Sequence, residues 1–132
     1  MPELPVEERY LKDEYWKVAR ELAAESMVLL KNNAAAGMKS PVLPIKVTTK
    51  RIAVIGPIAN DSINLLGMWD GYGKPGDVET LLEGLHATMG KSTEINYAKG
   101  CDFDGSDTLG FDQARKAAAR SEVVIVCLGE KR

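Results

Sequence analysis

With 132 residues and 45% hydrophobic side chains, the chain is long and apolar enough to bury a core, and one domain is the default. Its 17 basic and 19 acidic side chains leave a net charge of -2, which gives no electrostatic footprint for nucleic acid or for an anionic membrane. The partner expected from composition is a neutral molecule or another piece of protein.

Residues Met1 to Lys12 hold two prolines and five charges and read as a tail or linker, with no apolar centre of the kind a signal peptide requires. No apolar run further along is long enough to span a bilayer. From Asp13 the pattern turns helical: Trp16, Ala19, Ala23, Met27 and Leu30 form one stripe, which predicts a helix ending near Lys31 and Asn32 that must lie on something. A loop follows, with a short extended piece expected at Val42 to Ile45.

Arg51 to Ile55 is the first predicted strand, stopped by Gly56-Pro57. Asp77 is the predicted N-cap of a second helix, whose stripe of Val78, Leu81, Leu82, Leu85 and Met89 ends at Gly90. Glu94 to Ala98 alternates as a second strand, and Thr108 to Arg120 is a third helix with small residues for close packing. The apolar run Val123 to Leu128 is the third strand, of the kind covered on both faces in a parallel sheet.

This alternation predicts an α/β fold, a three-layer αβα sandwich whose three main strands run parallel with the first in the middle. The most hydrophobic strand comes last, with nothing after it to cover it. The sheet therefore reads as incomplete, roughly the first half of a larger α/β domain, with an open edge that favours dimerisation, element swapping or aggregation.

Between Gly67 and Gly76 lies a loop rich in glycine, carrying Trp69 beyond a strand's C-terminal end, where open α/β sheets place ligand contacts. Trp69 reads either as core or as a platform for the C–H face of a sugar, and Asp70 either as a hydroxyl acceptor or as a residue closing its own turn. Gly71 to Gly76 matches the letters of a dinucleotide fingerprint, but the preceding strand ends too early and Pro75 interrupts it. His86 has no nucleophile partner by pattern, and Asp102 with Asp104 is a calcium-loop fragment lacking the remaining ligands, better read as a turn. Cys101 and Cys127 are neither a disulfide framework nor a metal spacing, and two free thiols are expected. Glu130 follows the last strand at the rim where ligands gather.

Taken together, ARELAAESMVLLKN (19–32), LPI (43–45), RIAVIGPIAND (51–61), LLGMWDGYGKPGDVETLLEGL (65–85), INYAKGCD (95–102) and VVIVCLGE (123–130) resemble, in order, the C-terminal α/β-sandwich domain of glycoside hydrolase family 3, with bacterial β-glucosidases the nearest in motif. The resemblance implies a parent enzyme that hydrolyses β-glucosides or oligosaccharides with retention, without metal or organic cofactor, in the periplasm or secreted. Residues 1–12 would be the linker from an N-terminal (β/α)8 barrel, and residues 13–132 the first half of the sandwich domain. The family's nucleophilic Asp lies in the barrel and its acid/base Glu several residues beyond the segment that Glu130 matches, so no catalytic residue is assigned to this chain and the chain alone is expected to be inactive. Trp69 matches the tryptophan flanking the leaving-group sugar, and with Asp70 and Glu130 it makes up the expected substrate-binding set. The rival readings are a nucleotide-binding α/β domain using Gly71 to Gly76 and a stand-alone carbohydrate-binding module using Trp69.

Overall fold

The computed structural model describes residues 12–34 and 36–131. They form two compact units, the first ending at Pro41 and the second beginning at Val42. The linker expected over residues 1–12 lies, Lys12 apart, outside the described residues.

In the first unit, helix α1 (Asp13–Ser26) opens with Asp13 and Glu14 in its first turn, where carboxylates meet the positive end of the helix dipole. The helix is shorter than its apolar stripe predicts. Ser26 donates its hydroxyl to the Ala23 carbonyl (2.8 Å), and Met27 turns to extended backbone, so the last two stripe positions fall outside it. No residue of α1 is buried.

The second unit is built on a parallel sheet of β1 (Arg51–Ile55), β2 (Glu94–Ala98) and β3 (Val123–Val126), in the order β2-β1-β3. Both the parallel sense and the central place of β1 match the sequence reading. The registers align Ile52 with Ile95 and Val123, and Val54 with Tyr97 and Ile125, so these six residues share one face. Helix α2 (Leu81–Met89) covers that face with Leu82, Leu85 and Met89, around the fully buried Ile52 and Val54. Each such side chain contributes about 1.5–3 kcal/mol on burial.

The opposite face carries Ala53, Ile55 and Ala98, where helix α3 (Phe111–Ala119) packs on β1 and β2. Close approach is seen where the helix begins: a side chain on Gly110 would run into the Gly100 carbonyl. Helix, sheet and helix make the three layers.

Four boundaries depart from the sequence reading. Val42 to Ile45 forms no strand, and the Leu43–Pro44 peptide there is cis. Helix α2 is capped by Thr80, not Asp77, because the Thr80–Glu83 pair completes a capping box, with Thr80 N donating to Glu83 at 2.8 Å, while the Asp77 carboxylate is used in the preceding Pro75–Asp77 turn, accepting from Lys74 N. Helix α3 starts at Phe111 rather than Thr108. Strand β3 stops at Val126 and is covered on one face only: Val123, Ile125 and Cys127 pack on the core, while Val124, Val126 and Leu128 stand 43%, 58% and 67% exposed. Helix α3 reaches β1 and β2, and the alternating side chains of β3 lie outside its cover.

Candidate functional site

At the C-terminal rim of the sheet, the segment between β1 and α2 is longer than the one between β2 and α3. It leaves the strand at Gly56, whose φ of +127° and contact with the Cys127 backbone admit no side chain. Pro57–Asn60 forms a 3-10 turn, and Asp61 then folds the chain back. Its carboxylate accepts from Ile63 N (2.9 Å), Asn64 N (2.8 Å) and Asn64 Nδ2 (2.6 Å), bonds that hold it below the usual carboxylate range. A second 3-10 turn, Asn64–Leu66, leads to the segment from Gly67.

There the loop turns its large side chains outward. Trp69 is 96% exposed, with Met68 and Tyr72 on either side of it also exposed. Asp70 is half-buried, and its carbonyl accepts from Gly73 N at 2.7 Å, which closes a four-residue turn. Asp77 closes the next, accepting from Lys74 N at 3.0 Å, before the Thr80–Glu83 box starts α2. The loop is thus stitched by a sequence of local caps, and its middle is free to present an aromatic surface. Of the two readings of Trp69, core and platform, the indole does not join the core of its own unit among the described residues.

Trp69 and Asp70 share this loop. Glu130 stands on another, four residues beyond the end of β3, exposed and next to Lys131, which pairs with Asp104 at 3.0 Å. Asp102 in the same loop accepts from Lys99 (3.0 Å) and from Phe103 N (2.9 Å), and the lysine holds its carboxyl below the usual range. The pair Asp102 and Asp104 is therefore part of a lysine-bridged turn, and among the described residues no three His, Cys, Asp or Glu side chains gather to hold a metal ion. Gly71 to Gly76 spans one turn and enters another, with two 3-10 turns between β1 and it and a further segment before the Thr80 cap of α2, so it does not join a strand directly to a helix as a pyrophosphate cradle does. His86 is exposed on α2. Both cysteines are free, and burial pushes the Cys127 thiol up.

Sequence reasoning missed a cleft of about 370 Å³ beside the loop, between the segment Pro57–Ile63 and the residues Tyr97, Lys99 and Phe103. Burial raises the Tyr97 phenol above its ordinary value. The alternation in EINYA signals a strand but not that its one aromatic residue, Tyr97, lines a cleft at the rim.

Residues 27–132 match the glycosyl hydrolase family 3 C-terminal domain, and the chain belongs to that family. Among curated relatives it is 37% identical to a β-xylosidase of Formosa agariphila, over 89% of this chain and 16% of that protein. It is 31% identical to a periplasmic β-glucosidase of Salmonella typhimurium, over 86% and 17%. Among solved structures, a family 3 exo-β-xylosidase in complex with a xylobiose aziridine probe aligns with a TM-score of 0.72 at 30% identity, over 89% of this chain and 14% of that one. A Listeria innocua β-glucosidase in complex with glucose also gives 0.72, at 29% identity over 92% and 15%. The chain spans about a sixth of the length of the curated relatives described.

Proposed function

We propose that this chain is part of a longer, retaining β-glycosidase that hydrolyses terminal β-D-glucosidic bonds, and that it forms one wall of the substrate pocket. Trp69 stacks on the sugar of the leaving group, while Asp70 and Glu130 accept hydrogen bonds from hydroxyls at the rim. The observation that carries this reading is an indole 96% exposed on a loop braced by its own caps, in a family 3 domain. An apolar ring face of that kind matches the C–H face of a pyranose.

Retention requires one carboxylate to attack the anomeric carbon and a second carboxyl, about 5 Å away, to protonate the departing oxygen. In this reading both come from segments outside the chain, the nucleophile from a barrel domain that is its structural partner and the acid/base from a loop further along. What this chain supplies is position: the leaving-group sugar held against Trp69 keeps its glycosidic oxygen in reach of the acid. No metal or organic cofactor takes part. The periplasmic assignment of the Salmonella relative supports a periplasmic or secreted location.

The 37% identity to a β-xylosidase favours a second reading, the same chemistry on xylosides. Nitrophenyl β-glucoside and β-xyloside offered to the full-length enzyme decide between them. A higher kcat/KM on the glucoside is expected, and a preference for the xyloside would transfer the assignment. A full-length enzyme that cleaves neither would contradict both.

A further inference from the structure

The turn that follows Trp69 carries a second exposed ring, Tyr72. Gly73 N donates to the Asp70 carbonyl at 2.7 Å, Gly71 has a φ of +56°, and among the described residues, Tyr72 included, no non-glycine residue has positive φ. That combination defines a type II′ turn with Gly71 and Tyr72 at its two central positions. Only glycine sits comfortably at the first of these, so the backbone is set and Tyr72 projects from the outside of the bend.

Tyr72 is 79% exposed and Met68 is 76% exposed, so the loop presents three large side chains that find no cover in the second unit. Singly scattered apolar residues on a surface need no explanation, but three within five positions of one braced loop form a patch. Trp69 immediately precedes this four-residue turn and Tyr72 is its third residue, so the two exposed rings stand three positions apart on one short bend. Each ring offers a flat apolar face, and the tyrosine adds a hydroxyl able to donate to or accept from a sugar hydroxyl. Met68 is unbranched and adapts its shape to what packs beside it.

We infer that Tyr72 is a second aromatic platform, one sugar unit further out on the leaving-group side than Trp69, which makes the substrate class a β-linked oligosaccharide of three or more units. This rests on the assignment of Trp69 to the leaving-group sugar. Tyr72 then determines chain-length preference: a trisaccharide covers both rings, and a disaccharide covers only the first.

The test measures kcat/KM of the full-length enzyme on a β-linked disaccharide and trisaccharide of its preferred sugar, with Tyr72→Ala, Tyr72→Phe and Trp69→Ala. Loss of one stacking partner is expected to lower trisaccharide kcat/KM about five- to tenfold in Tyr72→Ala and to leave the disaccharide within about twofold. Tyr72→Phe, which keeps the ring, retains most of the trisaccharide preference. An unchanged trisaccharide value in Tyr72→Ala would overturn the inference. So would an equal loss on both substrates with a lowered Tm, which would mean that the ring packs on protein. Trp69→Ala separates the two levels: if it weakens the disaccharide while Tyr72→Ala leaves the trisaccharide untouched, only the second platform falls. If Trp69→Ala leaves the disaccharide untouched, the pocket-wall reading falls with it.

Discussion

Trp69 and Gly56 sit on the same loop and answer to opposite constraints. Gly56 is fixed by the backbone: its φ is +127° and a side chain there would run into the Cys127 carbonyl. Gly56→Ala is expected to cost at least about 2 kcal/mol through strain and overlap, read as a lower denaturant midpoint. Trp69, 96% exposed, packs on almost nothing in its own unit. Trp69→Ala should therefore change the midpoint by less than about 0.5 kcal/mol, and a larger loss would mean that the indole serves the fold. The position of Trp69 on a loop beyond the C-terminal end of β1 was legible from the glycines around it. Its exposure was not, because exposure depends on which of the neighbouring side chains find a core, and only the path of the loop decides that. Tyr72 went unnoticed for the same reason, since its turn type needs backbone angles that letters do not carry.

Single side-chain caps set the element boundaries, and these were the least legible features in the chain. Asp77 and Thr80 both have cap chemistry, and the helix start falls to Thr80 because Glu83 stands three residues on and bonds back. Thr80→Ala is expected to cost about 1 kcal/mol, and Asp77→Ala less, because Asp77 closes only a single 3-10 turn. Asp61 adds a pH dependence. Its carboxyl is depressed by the Asn64 and Ile63 bonds, so the stability it contributes is present above the carboxyl's unfolded value and is lost as pH falls through its folded value. Thermal scans at descending acid pH should show the wild-type Tm falling toward that of Asp61→Ala, the two curves converging at the acid end. Parallel curves would remove the carboxylate from the account of this loop.

At the scale of the molecule, strand order, parallel sense and layer arrangement were readable because hydrophobic period and βαβ alternation admit few solutions. Val123 to Leu128 read as a strand of the kind buried on both faces but with nothing after it in this chain to cover it, and the sheet is open there, because a continuous apolar run says what a strand can bury and not what is there to bury it. Val124, Val126 and Leu128 line an open face at the edge of the sheet. The 132-residue chain is expected to self-associate through that edge, with a scattering mass that rises with concentration, and Val126→Lys to reduce the rise without lowering Tm. A monomer at every concentration would contradict the expectation.

The central claim is that Trp69 holds the leaving-group sugar of a β-glycoside during hydrolysis. It is tested most directly by comparing a disaccharide with the corresponding glycosyl fluoride, whose leaving group has no ring to stack, in the full-length enzyme with and without Trp69→Ala. The account predicts a loss of about tenfold in kcat/KM on the disaccharide and an unchanged value on the fluoride. Equal values for the two enzymes on the disaccharide, or equal losses on both substrates, would contradict it.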